Sequence, residues 1–180
     1  IRWLDTDALI LPAEKYSAVM TIQPGTIIIS ASALQDPNFE KAVIVITEYN
    51  EKGALGFVVN KLFARRLNEL VEFKNAAPFP LFAGGPVDTE NLFVLHRRAD
   101  LVTGNKYLFG NIYMGGDFQQ IVHCINNGTL TNNDIKLFIG YCGWDAGELE
   151  AEIEEGSWIV KGTDEQIIFS NDNNGWEKMK

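Results

Sequence analysis

The stretch Phe138-Ile-Gly-Tyr-Cys-Gly-Trp-Asp-Ala-Gly-Glu-Leu-Glu-Ala-Glu-Ile153 joins an apolar strand, a glycine-flanked aromatic turn and a capped helix without a spacer. It contains no nucleophile beside a base, no metal-ligand pair and no phosphate loop, so it specifies an architecture more sharply than a reaction. Ile135 to Tyr141 reads as the strand. Asp145 to Glu155 reads as a helix with Leu149 and Ile153 inward, Gly156 at its exit and an Asp145/Glu148 capping pair at its start. In this reading Glu150, Glu152, Glu154 and Glu155 form a solvated helix face.

Upstream of that stretch, Asp117 to Asn127 is a second amphipathic helix, with Phe118, Ile121, Val122 and Ile125 on one face, Asp117 as cap and Gly128 closing the end. The β-branched run Ile27 to Ile29 predicts a strand, and Asp36-Pro37 breaks the chain beyond it. Val43 to Glu48 and Ala54 to Val59 form a hairpin around Asn50-Glu-Lys-Gly53, where Gly53 supplies the positive φ. The first strand of that pair is apolar on both faces, so it belongs in the middle of the sheet with both sides covered. Leu67 to Phe73 reads as helix, and Leu92 to His96, Tyr107 to Phe109 and Ile112 to Met114 as strands. Beyond Trp158 to Lys161 the tail through Phe169 and Trp176 packs as a short helix or loop. Residues 1–24 read as an N-terminal extension with a short helix near Glu14 to Met20, followed by one domain over 25–180. Helices and strands intermix without regular βαβ alternation, which predicts an α+β fold with a mainly antiparallel, strongly curved sheet.

The 180 residues are 46% hydrophobic and 22% charged, enough for one well-buried core. No apolar run reaches the length of a membrane span, and the first twelve residues lack the apolar centre of a secretory leader, so a cytoplasmic address and no membrane partner are expected. Starting at Ile1, the chain reads as trimmed at that end. Net charge is −9, of which −7 falls between Asp145 and Lys180. Duplex binding draws on Lys and Arg releasing counterions, so this acidic balance argues against direct nucleic-acid binding. Cys124 and Cys142 have neither redox nor zinc-finger spacing and read as reduced, partly buried side chains; no cofactor and no metal are expected.

Several side chains stand out as candidates. His96 ends an apolar strand ahead of Arg97 and Arg98, where an imidazole can act as base at a cleft rim or terminate the strand by bonding to backbone. Gly84-Gly85-Pro86 either presents N–H groups to an anion or marks a close backbone approach. Trp144 beside Gly143 either stacks on a ligand or plugs the core. Asp36 and Asn60 sit at breaks in apolar strands, and convergence with His96 is what a hydrolase would require. His123 falls opposite the apolar face of its helix and is expected to be exposed.

Five motifs occur in order: Leu34-Gln-Asp36-Pro37-Asn-Phe39, Gly53-Ala-Leu-Gly56-Phe-Val-Val-Asn60-Lys61, Gly84-Gly85-Pro86-Val87, Leu95-His96, and Gly140-Tyr141-Cys-Gly143-Trp144 running into Leu149-Glu150. Together, over about Gly25 to Trp158, they resemble the AlgH/YqgE family of small bacterial proteins. The resemblance implies a single domain with a bifurcated, barrel-like sheet flanked by helices, and kinship with proteins labelled transcriptional regulators whose molecular activity is unestablished. The chain departs from that pattern at Tyr49, where His is common, at Ser32 and Leu62, where Pro is frequent, at Glu148 for Gln, and at Cys142 for a small apolar residue. The leading expectation is therefore a non-catalytic domain binding a protein partner or small ligand, with Asp36, Asn60, Gly84, Gly85, His96, Gly143 and Trp144 as candidate contacts. A hydrolase using His96 with Asp36 or Asn60, and a direct DNA-binding regulator, are the alternatives.

Overall fold

The computed structural model describes residues 21–180, and the helix expected near Glu14 to Met20 lies outside them. Among the described residues ten strands form one bent sheet: β1 (Thr26–Ser30), β2 (Val43–Asn50), β3 (Gly53–Val58), β4 (Leu62–Arg66), β5 (Pro80–Ala83), β6 (Val87–His96), β7 (Lys106–Phe109), β8 (Ile112–Met114), β9 (Ile135–Asp145) and β10 (Trp158–Thr163). Four helices accompany them: α1 (Phe118–Asn126), α2 (Glu148–Glu154), α3 (Glu165–Ile168) and α4 (Gly175–Met179). The main path through the sheet is β10-β1-β2-β3-β9-β6-β8-β7.

The sheet forks at β9. Along one edge β9 holds β6, with Leu92 to His96 opposite Ile139 to Ile135 and Val87 opposite Tyr141. Its other edge is shared. The first half pairs in parallel with β5, Leu81 to Ala83 against Leu137 to Ile139, and the second half pairs antiparallel with β3, Gly53 to Gly56 against Asp145 to Cys142. The fold is thus α+β, a curled, mainly antiparallel half-barrel with one parallel pairing at the fork.

Side-chain alternation builds the core. Ile27, Ile29, Val43, Val45, Phe57 and Phe138 point into the concave interior, which Ile168, Phe169 and Trp176 of the C-terminal segment close from the open side. Ile28, Ile44 and Ile46 point outward and are covered by Leu149 of α2 together with Trp144 and Trp158. Ile135, Leu137 and Ile139 are covered by Ile121 and Ile125 of α1. Strand β2 is consequently central and apolar on both faces, as its sequence requires.

Local chemistry fixes the element ends. Asp117 accepts from the Gln119 and Gln120 N–H groups to start α1. The β2–β3 turn closes with Gly53 at φ +136°, where a Cβ would lie 2.0 Å from the Trp144 carbonyl oxygen. Three expectations are corrected. Leu67 to Phe73 is two 3₁₀ turns, not a helix, because Leu70 is extended at ψ 136° between them. Gly143-Trp144 is no turn: β9 continues to Asp145, held there by β3. The following helix starts at Glu148, after Gly147 at φ +83°, and only half of the capping pair forms, the Glu148 carboxylate accepting from the Asp145 N–H at 2.8 Å. The tail forms two short helices, and the Trp176 indole donates to the Ser30 carbonyl at 2.8 Å. No helix among the described residues is long and apolar enough to cross a membrane.

The fork depends on two chain segments touching through glycine. Gly84 donates to Ile139 and accepts from Val58, so it bridges the two partners of β9. Gly85 then crosses β9 so closely that a Cβ on it would sit 2.1 Å from the Tyr141 carbonyl carbon, and one on Gly140, at φ +71°, would sit 2.3 Å from the Gly85 oxygen. Gly140→Ala is therefore expected to destabilise by ~3 kcal/mol or more, combining left-handed strain with a backbone collision. Gly128→Ala, at φ +78° with open space around it, should cost only about 1–2 kcal/mol. Urea unfolding of the two variants checks this, and equal midpoints would refute it.

Candidate functional site

Past the crossing, Pro86 leads directly into Val87, so β6 reaches no further along β9 than Tyr141, while β9 runs on for four more residues. Two concave surfaces flank this projecting end. One, of about 480 Å³, is lined by Leu55, Val87, Tyr141 and Gly143 with Glu48, Asn50 and Lys52 at its margin. The other, of about 290 Å³, lies between the 31–39 loop and α2, against Asp36, Phe39, Trp144 and Trp158. Strand alternation separates them, since Tyr141 and Gly143 face the first and Cys142 and Trp144 the second. Gly143, Trp144, Val87 and Glu148 line both.

The smaller cleft has an aromatic floor held by one carboxylate. Trp144 and Trp158 meet edge to face at 6.1 Å, Phe39 meets Trp158 likewise at 5.3 Å, and both indole N–H groups donate to Oε2 of Glu152, at 2.8 and 2.7 Å. Glu152 is thus not part of a solvated face, as its helical spacing suggested, but ties α2 to β9 and β10. Asp36, Glu148 and Glu155 add three more carboxylates, and no lining residue is basic. The nearby Lys61 amine donates to the Asn38 carbonyl at 3.0 Å; burial lowers its pKa against the opposing pull of Glu40 and Asp36. The Cys142 thiol donates to the Gly84 oxygen and burial pushes its pKa up to about 12, so it stays protonated and is a poor nucleophile. Among the described residues no three His, Cys, Asp or Glu side chains gather as a metal-binding group.

The candidates separate accordingly. Gly143 and Trp144 form the wall between the clefts, Trp144 largely buried at 8% exposure and Gly143 exposed. Asp36 opens on the smaller cleft, its Oδ1 accepting from the Asn38 N–H. Gly84 and Gly85 serve the crossing, not an anion-binding curl. Asn60 accepts from the Val43 N–H and donates to the Lys41 carbonyl, both at 2.8 Å, locking the end of β3 to the start of β2.

His96 is not at a cleft rim. It is fully buried, stacked on Tyr113, and both ring nitrogens are engaged: Nδ1 accepts from the Arg98 N–H and Nε2 donates to the Gly115 carbonyl, each at 3.1 Å. A carbonyl only accepts and an amide N–H only donates, so one neutral tautomer satisfies both bonds. Burial lowers the imidazole pKa further, opposed by the Gly115 bond. His96, its ring nitrogens taken by Arg98 and Gly115, therefore shares no hydrogen-bond partner with Asp36 or Asn60. His123 is exposed beside Phe73 and Phe118.

One residue escaped the sequence reading. Lys136, 1% exposed, donates to the Val59 carbonyl at 2.8 Å and the Ser170 carbonyl at 3.1 Å, with its amine 4.0 Å from the Phe82 ring centre. It pins the C-terminal segment to the end of β3 from inside the half-barrel. Its signal in sequence is a single cation inside a strand that is otherwise apolar on both faces.

Comparison with known proteins places this geometry. A model of the AlgH-like family matches residues 27–180. A UPF0301 protein of Chlorobaculum tepidum is 35% identical over 158 residues, covering 88% of this chain and 83% of the relative. A UPF0301 protein of Bacteroides thetaiotaomicron is 33% identical over 149 residues, 82% and 76% of the two chains. Among solved structures, the solution structure of the AlgH protein from Pseudomonas aeruginosa matches with TM-score 0.66 at 31% identity, over 82% and 80% of the chains. A crystal structure of a Corynebacterium diphtheriae protein matches with TM-score 0.67 at 21% identity, over 83% and 81%, a likeness of fold alone.

Burial pushes the Lys136 amine down to about 7 from an ordinary 10.5, against the two carbonyl acceptors and the ring face, which favour the ammonium. Between these values the unfolded chain holds a proton that the folded chain releases. This residue's contribution to stability is therefore lowest below pH 7 and rises with pH from about 7 to 10.5. The stability difference between the native chain and Lys136→Met, from denaturant titrations at pH 6, 8 and 10, should move in favour of the native chain as pH rises. A difference independent of pH would rule out this titration of the lysine.

Proposed function

The chain belongs to the AlgH-like family, and on that basis we propose that it is a cytoplasmic, non-catalytic binding domain whose working surface is the pair of clefts on either side of Gly143 and Trp144. The observation that carries this reading is one projecting strand end shared by two concave surfaces, one of them walled by indoles and four carboxylates with no basic residue in its lining. Such a surface suits a ligand carrying positive charge, which gains from the carboxylates set beside the largely buried indoles. It repels phosphate backbones, so a regulatory role runs through a protein partner and not through a grip on DNA. The engaged nitrogens of His96 and the protonated Cys142 thiol favour binding over turnover.

Trp144→Ala is a poor probe, because emptying that core position costs about 3–5 kcal/mol in itself. A photo-crosslinking amino acid at Gly143, on the exposed wall, should give a defined protein adduct in the cells that make the chain, whereas the same group at Val71, 84% exposed and outside both clefts, should not. Hydrolase and nuclease substrate panels should stay at background, and gel-shift titrations should show no sequence-selective complex. Equal crosslinking from both positions, or a turnover that His96→Ala abolishes, would overturn the reading.

A further inference from the structure

Among the described residues the backbone at the projecting end of β9 has one unpaired edge, and its hydrogen-bond parity can be read from two fixed points. Val58 N–H donates to Gly84 on the β9 side of β3, so Val58, Gly56 and Ala54 direct their backbone groups toward β9 while Leu55, one residue out of step, directs its own toward β2. Gly143, the partner of Leu55, therefore sits in a non-hydrogen-bonded pair, and its N–H and C=O point away from β3. At the other fixed point Asp145, two residues on, directs its N–H the same way, into the Glu148 carboxylate. Tyr141, two residues back, uses that edge to pair with Val87. Between Val87 and Glu148 lies a gap of about three residues, roughly 10 Å of strand, opened because residues 84–86 cross β9 and do not continue β6 alongside it.

We propose that this gap receives an extended segment of a partner protein, laid antiparallel to β9 as a continuation of β6, with a large apolar residue opposite Gly143 and a Lys or Arg on each side of it. The proposal deepens the binding reading above and rests on it. Strand pleating dictates the pattern. The residue bonded to Gly143 turns its side chain to the face of Tyr141, Leu55 and Val87, where the missing Cβ leaves space; a Cβ there would meet only Tyr141 Cε2, at 3.5 Å. Its two neighbours turn to the opposite face, onto Trp144 and Trp158 among Asp36, Glu148, Glu152 and Glu155. Charge complementarity selects cations there, and Lys61, an amine close to these carboxylates, is already committed to Asn38. Main-chain bonds supply affinity and the two faces supply selectivity, as in other strand-addition complexes.

The test uses the whole chain with dye-labelled acetyl-Ala-Lys-Phe-Lys-Ala-amide, read by anisotropy and by quenching of indole emission. Binding should fall ~10-fold when the Phe amide nitrogen of the peptide is methylated, which deletes the bond to the Gly143 carbonyl. It should vanish for the Glu-Phe-Glu peptide, and weaken ~5-fold for the double variant Glu148→Gln, Glu155→Gln. Gly143→Pro removes the outward N–H without touching the β3 ladder, so it should fold normally and lose ~10-fold or more. If that variant fails to fold, as the fixed proline φ within a paired strand can cause, the methylated peptide decides the question on the native chain. Equal binding of methylated and unmethylated peptides rejects strand addition while leaving the cleft as a cation site. Binding of the Glu-Phe-Glu peptide as well, or of no peptide, overturns the proposal, and crosslinking from position 143 then judges the broader reading separately.

Discussion

Everything in this fold hangs on a backbone contact in which no side chain fits: Gly84 and Gly85 laid against Gly140 and Tyr141. A strand has two edges, and β9 serves three neighbours, because the crossing lets β5 leave its edge at Ala83 and β3 take over at Cys142. Steric exclusion is the cause. Any Cβ at Gly84, Gly85 or Gly140 would press within about 2.1–2.4 Å of backbone atoms, and separating the chains would break the Gly84 bonds to Ile139 and Val58. The glycines make bond-rich contact possible where larger residues would force a gap.

The same contact produces both the strength and the opening of the molecule. Curvature at the fork wraps the sheet around Phe57 and Phe138, and the C-terminal segment closes the interior, anchored by Lys136 at Ser170 and by the Trp176 indole at Ser30. On the other side the crossing cuts β6 short and leaves the tip of β9 exposed between two clefts. Carboxylates concentrate there: the net charge of −7 between Asp145 and Lys180 includes Glu148, Glu152 and Glu155, which α2 brings to the indoles. Architecture and candidate binding surface are thus two results of one steric constraint.

Much of this was legible in the residues. Apolar runs gave β1, β2 and β9, the 3.6-residue spacing with its Asp117 cap gave α1, and Gly53 gave the hairpin, because in each case short-range preference and burial agree. The site was only partly legible. Gly143 and Trp144 were visible as a glycine beside an indole, but they read as a turn, since the strand that extends them, β3, lies some ninety residues earlier. Glu152 looked like surface because its two indoles come from strands on either side of the helix. His96 looked reactive because nothing local reveals that the Gly115 carbonyl satisfies it.

Side-chain chemistry and near-neighbour geometry already dictate, from the residues alone, which segments must be buried, where the chain must change direction and that the surface is acidic. Which edge of β9 each partner takes, which carboxylates meet the indoles and which backbone groups stay unpaired were settled in three dimensions. Those outcomes depend on contacts between residues far apart in the chain, where pairing, steric exclusion and burial act together.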